Sequence, residues 1–151
     1  MPSISDNAPN ACKGCFESAC IPTEPAAYGK YCYTAGWGKT GIDGAASKKL
    51  RDVGVNVMGP KYCKDKSNYD NVDAALELCA GVPDGDGNGL TDGGKGFCPG
   101  DEGGPLICVE NQKAVIQGVA SWSEKCGKEG YPGVYVKVSA LSDWINQAIN
   151  G

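Results

Sequence analysis

The sequence predicts an all-β fold: a single six-stranded antiparallel barrel followed by a C-terminal α-helix. Three observations carry this. The 151 residues include 23 glycines and 9 prolines, a turn-rich composition that suits short strands better than a helical bundle. Six short runs rich in β-branched and aromatic residues are separated by polar or glycine-rich breaks, and six strands can close a small barrel. The last residues then switch from a two-residue to a helical period. The length fits one domain with a modest core.

Residues 1–18 are rich in proline, alanine and serine and read as an irregular N-terminal arm; the barrel domain is expected over 19–151. The first strand is "YCYTAGW" (Tyr31 to Trp37). The second, "LRDVGVNVM" (Leu50 to Met58), alternates valines in its second half, the mark of a half-buried strand. "LCAG" (Leu78 to Gly81) is short. "PLICV" (Pro105 to Val109) and "AVIQGVASW" (Ala114 to Trp122) are joined by the polar turn "ENQK". "PGVYVKV" (Pro132 to Val138) alternates again. In "SALSDWINQAING", Leu141, Trp144, Ile145, Ala148 and Ile149 fall on one helical face, with Ser139 as the expected N-cap and the helix expected to dock on the barrel. The polar run Lys64 to Asn71 reads as a solvated loop.

Composition excludes several function classes. The net charge is −4 and the lysines are scattered, so nucleic acid is not an expected partner. No apolar run approaches the roughly 18 residues that span a bilayer. The opening "MPSISDNAPN" lacks the apolar core of a signal peptide, so a secreted protein would be represented by its mature form. Nine cysteines point to an oxidising compartment and therefore to an extracellular location. The pair Cys12 and Cys15 in "CKGC" has the spacing of a zinc half-site, but there is no second such pair and no histidine in the chain. An odd cysteine count leaves at least one sulfur free or paired with another chain. The lack of histidine also means that these residues alone cannot build a serine–histidine or cysteine–histidine pair.

One loop carries a metal-site pattern. Asp84, Asp86 and Asn88 alternate and Gly89 follows, copying the first half of an EF-hand-type loop; Asp92 falls in the place of a further ligand. Lys95 stands where the bidentate glutamate would be. If calcium binds, the expected ligands are Asp84, Asp86, Asn88, the Leu90 carbonyl and Asp92, with weak affinity. The alternative is a solvated Asp/Gly turn, and no other cofactor is expected.

The stretches "AGWG" (Ala35 to Gly38), "CAG" (Cys79 to Gly81), "GDEGGPLIC" (Gly100 to Cys108), "VASW" (Val119 to Trp122), "PGVYVKV" and the terminal "WI" helix occur in the order found in the chymotrypsin-like, or trypsin-family, serine proteases. The chain resembles the second of that family's two Greek-key barrels, over about residues 19–150. The resemblance implies the disulfides Cys32–Cys108, Cys63–Cys79 and Cys98–Cys126. It also matches Cys20 to the cysteine that ties the second barrel to the first barrel or its pro-segment; Cys12 and Cys15 lie just upstream, and one is expected to pair with Cys20 while the other is free or reaches a partner chain.

In the family the nucleophile loop reads Gly-Asp-Ser-Gly-Gly; here Glu102 stands at the serine's position. A carboxylate is a poor nucleophile toward an amide, and a serine's activation needs a histidine base. The resemblance places the oxyanion-hole amides at Gly100 and Glu102, and the Glu102 carboxylate is expected either to fold back onto them or to point to solvent. Asp101 matches the aspartate that pairs with a new N-terminal ammonium in active members. Without that ammonium it must find other donors, and a loosened, zymogen-like loop is expected. The specificity pocket maps to Gly96, Phe97, Trp122, Ser123 and Gly133. Gly96 replaces the aspartate of trypsin-like members, and Phe97 is expected to fill part of the pocket. The resulting expectation is a catalytically inactive, secreted protease homologue serving as a binding or structural module. Its partner would be a protein, recognised through surface loops or disulfide-linked through Cys12, Cys15 or Cys20. Two alternatives stand beside it: one chain of a two-chain assembly whose other barrel supplies histidine and aspartate, and a calcium-binding extracellular protein using the 84–92 loop.

Overall fold

The computed structural model describes residues 18–65 and 67–151. Among them, six strands appear: β1 (Tyr31–Gly36), β2 (Arg51–Met58), β3 (Glu77–Gly81), β4 (Pro105–Glu110), β5 (Lys113–Trp122) and β6 (Gly133–Lys137). A short helix, α1 (Pro60–Asp65), follows β2, and α2 (Ser142–Asn150) follows β6. All neighbouring pairs are antiparallel, and the order β1-β2-β3-β6-β5-β4 closes into a barrel. Closure leaves no edge strand with unpaired amides.

Inward positions follow the two-residue period. Cys32 and Thr34 of β1, Val55 and Val57 of β2, and Leu106 and Cys108 of β4 are buried. The apolar ones among them form the main core with Ala26, Leu78, Ala80, Phe97, Ala120 and Tyr135. A second cluster gathers Met58, Cys63, Tyr69, Val72, Cys79 and Val134. The disulfides are Cys32–Cys108, across paired positions of β1 and β4, Cys63–Cys79, and Cys98–Cys126. They close loops of sequence separation 76, 16 and 28. On the chain-entropy account each contributes about 3–4.5 kcal/mol, a large help to a small core. The β4–β5 turn places Asn111 at φ 48° and Gln112 at φ 64°, the two successive positive values of a tight hairpin turn that matches strand twist.

Residues Cys20 to Lys30 form a strap linking β5 to β2, strands that are not neighbours in the barrel. The Cys20 N–H donates to Ala114 O at 2.8 Å, and the Ile116 N–H donates to Cys20 O at 3.0 Å. At the far end the Gly29 N–H donates to Val57 O at 2.7 Å and the Val57 N–H to Lys30 O at 2.9 Å. Gln117, 1 % exposed, holds the middle. Its Oε1 accepts from the Ala26 N–H at 3.0 Å, and its Nε2 donates to Glu24 O at 3.3 Å and to Glu110 Oε1 at 2.9 Å.

Three expectations need correction. The polar run after Cys63 is not wholly solvated: Lys64 and Asp65 end α1, and Tyr69 is 1 % exposed in the second core cluster. Ser139 is not the N-cap. Val138–Leu141 form a 3-10 turn, and α2 begins only at Ser142, whose hydroxyl donates to Ser139 O at 3.1 Å. The tighter turn, anchored by buried Val138, delays the α-helical start. The apolar face of α2 is not docked on the described barrel: none of its residues is buried, and Trp144 is 67 % and Ile149 54 % exposed. The 3-10 turn lies against β5, and α2 runs on directly from that turn.

Candidate functional site

The loop from Cys98 to Gly104 is pinned from both sides. The Asp101 N–H donates to Cys98 O at 2.9 Å and the Gly104 N–H to Asp101 O at 3.0 Å, shaping a tight turn. The Gly103 N–H donates to Ala120 O and the Ala120 N–H to Gly104 O, both at 2.8 Å, tying the turn to β5. The Lys39 N–H donates to Pro99 O at 2.9 Å, tying it to the segment after β1. The loop is thus hydrogen-bonded in place rather than loosened.

Asp101 supplies the reason. Its Oδ1 accepts from the Gly38 N–H at 2.6 Å and its Oδ2 from the Cys98 N–H at 3.0 Å. Two backbone amides therefore serve the carboxylate, and each charge-assisted bond is stronger than a neutral one. The carboxylate lies against Gly36 so closely that a Cβ there would come within 1.9 Å of Oδ1. The glycines of "AGWG" are thereby explained: they let the strand end approach a carboxylate.

Glu102 is exposed, and its Oε2 accepts from the Gly100 N–H at 2.7 Å. Gly100, at φ 98°, turns that amide in a conformation that suits glycine. One of the two amides that the resemblance assigned to the oxyanion hole is thus engaged by the side chain standing at the nucleophile position.

Of the pocket residues, Phe97 is 2 % exposed. Its ring packs edge-to-face on Tyr135 with centroids 5.1 Å apart and planes at 76°. A Cβ on Gly133 would lie 2.7 Å from Phe97, so Gly133 leaves the space that the ring fills. Trp122, which the resemblance assigns to the pocket wall, donates its Nε1–H to Glu77 Oε1 at 3.0 Å and packs edge-to-face on Tyr69 at 4.7 Å. Ser123 buries its hydroxyl beside that of Tyr69 without a well-formed hydrogen bond. Gly96 is half-buried and places no charge at the position that the resemblance gives the base of the pocket. Burial pushes the Tyr135 hydroxyl far above the usual phenol range, a contact with Thr34 offsets part of this, and the Asp101 charge adds to it. The Tyr135 and Thr34 hydroxyls face each other without a well-formed hydrogen bond. Tyr69 is raised too, first by burial, against the lowering effect of the Glu124 N–H that donates to its oxygen at 3.2 Å.

The 84–92 loop brings part of its expected ligand set together. Asp84, Asp86 and Asp92 each offer a carboxylate oxygen, and these lie within 4.8 Å of one another. The loop base is closed by the bridge between Val82 and Asp92. Asp84 also accepts from the Gly87 and Gly89 N–H groups at 2.8 and 3.1 Å. Asn88 does not join the oxygens: its Oδ1 accepts from the Leu90 N–H at 2.9 Å, while its Nδ2 donates to Asp86 Oδ2 and Glu129 Oε1. Hard carboxylate oxygens fit calcium; Asn88 as placed adds a donor nitrogen to the cluster instead of a ligand.

Cys20 is exposed and is the free cysteine among the described residues. Cys12 and Cys15, the partners expected for it, lie outside the described residues. No described helix is long and apolar enough to cross a membrane. Sequence reasoning missed the donors to Asp101, which are backbone amides, and the Gln117 clamp. Gln117 had a signal: a lone amide at an inward position of an apolar strand.

The closed barrel, its three disulfides and the Gly-Asp-X-Gly-Gly turn beside β5 define the second barrel of a chymotrypsin-like protease. The sequence model of the Trypsin family matches residues 5–145, and the chain belongs to that family. It is 36 % identical over 137 residues to "Trypsin eta" of Drosophila erecta, a match covering 91 % of this chain and 48 % of that protein. The chain spans about half the length of this curated relative.

Proposed function

We propose that this barrel is a non-catalytic member of the trypsin family that works outside the cell as a binding or structural module. The observation carrying the reading is the Glu102 carboxylate on the Gly100 N–H, at 2.7 Å, in the place where a nucleophile would need that amide free for a developing oxyanion. The buried Phe97 ring, filling the space where a substrate side chain would enter, supports it. The three disulfides support an oxidising, extracellular setting. The partner is another protein, met by the loops around the former cleft or linked through Cys12, Cys15 or Cys20. Amide-proton NMR tests the plug. The Gly100 amide shifts upfield in Glu102→Ala and becomes accessible to added acetate. An unchanged Gly100 resonance in that variant overturns the plug.

A second reading makes this barrel one half of a two-part assembly whose other half supplies histidine and aspartate. The exposed Trp144 and Ile149 on α2 favour it. Non-reducing electrophoresis of native material would then show a larger, disulfide-linked species. The convergence of Asp84, Asp86 and Asp92 favours calcium binding by the 84–92 loop as an added property. A calcium-dependent rise in melting temperature, lost in Asp84→Ala/Asp86→Ala, tests it.

A further inference from the structure

We propose that Asn88 is a modification site: the 84–92 loop converts its side-chain amide to a carboxylate by ring closure onto the Gly89 peptide nitrogen. Asn88 is exposed and is followed by glycine. Gly89 sits at φ 96°, and a Cβ built on it would meet no other atom, so nothing crowds the peptide that must attack.

The parts of the reaction are already hydrogen-bonded in place. The Gly89 N–H, whose proton must leave as the nitrogen attacks, donates to Asp84 Oδ2 at 3.1 Å, a carboxylate placed as a base. Asn88 Oδ1, where negative charge develops as the amide carbon becomes tetrahedral, accepts from the Leu90 N–H at 2.9 Å. That bond folds the side chain back along its own backbone, toward the intervening Gly89 nitrogen. Nδ2, the leaving nitrogen, donates to Asp86 Oδ2 at 3.2 Å and to Glu129 Oε1 at 2.8 Å, which fixes the other end of the amide.

The step consumes only solvent water. The Gly89 proton passes to Asp84 Oδ2 as the nitrogen bonds to Asn88 Cγ. The Cγ–Nδ2 bond then breaks, and Nδ2 leaves as ammonia with a proton that Asp84 returns through solvent. Water opens the cyclic imide at either carbonyl and leaves aspartate or isoaspartate at position 88; nothing is oxidised or reduced. The product lacks the Nδ2 donor that ties this loop to Glu129 and sets a carboxylate in its place. Loss of ammonia makes the change one-way, and like charges replace the bridge between the two loops.

Peptide mapping by mass spectrometry tests this on the freshly purified, intact chain at neutral pH. Beside it runs the same chain reduced and unfolded in guanidinium chloride, where the bare Asn-Gly sequence sets the rate. The folded chain converts residue 88 faster by about tenfold or more, and in heavy-oxygen water the new carboxyl carries the label. Asn150–Gly151 is the internal comparison. There the Gly151 N–H donates to Gln147 O at 2.9 Å, a carbonyl that takes no proton, so folding does not accelerate conversion. Asp84→Ser, which keeps a side-chain oxygen but no base, brings the rate at 88 down to that of the unfolded chain. Asp92→Ser removes a neighbouring carboxylate and does not. The proposal is overturned if the folded chain converts residue 88 no faster than the unfolded one. It is equally overturned if Asp84→Ser, with an unchanged thermal transition, converts at the native rate, or if Asp92→Ser slows conversion as much as Asp84→Ser does.

Discussion

Replacing Phe97 by alanine removes a ring that is 2 % exposed and packed on Tyr135 at 5.1 Å. Losing a buried aromatic side chain to alanine costs about 3–5 kcal/mol, because transfer from water and the residual cavity both count. The site favours the upper half of that range. Gly133, which faces the ring, has no side chain to move in, and its strand is fixed between β3 and β5. A domain of this kind has about 5–15 kcal/mol of stability in total, so the variant stays folded while its urea midpoint falls clearly at unchanged slope. The vacated space then accepts an apolar aromatic guest such as indole, which restores part of the melting temperature. A loss below about 1 kcal/mol, or no response to the guest, would refute the reasoning that Phe97 fills the former pocket.

Asp101→Ala strips acceptors from the Gly38 and Cys98 amides; allowing for partial exposure, the cost is about 2–4 kcal/mol by chemical denaturation. Asp101→Asn costs less, because one carbonyl oxygen remains. Gln117→Leu keeps the volume but orphans the Ala26 N–H and should cost about 1–3 kcal/mol. Its signature is faster hydrogen exchange at Ala26 and Cys20 with the rest of β5 still protected. Tyr135 and Tyr69 hold their protons more tightly when folded than the ordinary phenol value near 10 allows when unfolded. The unfolded state therefore binds fewer protons in that range. Their contribution is fully present below about pH 10 and is lost as pH rises toward their folded values. Denaturation midpoints followed upward from neutral pH should fall only beyond that point, earlier in the wild type than in Tyr135→Phe.

All six strands were legible in the sequence: β2 and β6 by alternating valines, the others as short apolar or β-branched runs between turn signals. The disulfides became legible only through family resemblance, since spacing alone leaves many pairings open. The partners of Asp101 were not legible, because backbone amides leave no side-chain signature; only the glycines of "AGWG" hinted at a close approach. Helix α2 was readable as a helix, but periodicity states which face is apolar and not what covers it. Helix α1 was too short for a periodic signal. Tyr69 hid in a polar run whose single aromatic proved to be core. The three acidic residues of the 84–92 loop converge as their spacing suggested, while Asn88 turned its oxygen to the backbone, a local hydrogen-bonding choice that spacing does not encode.

The proposal that this barrel is non-catalytic is tested most directly by hydrolysis. The purified chain, and beside it Glu102→Ser, are incubated with a mixed library of fluorogenic peptide amides at neutral pH. The account predicts no turnover by either: the native chain keeps its Gly100 amide engaged by a carboxylate, and neither protein carries a histidine. Turnover by the native chain that scales with protein concentration and disappears in Glu102→Ala would contradict it.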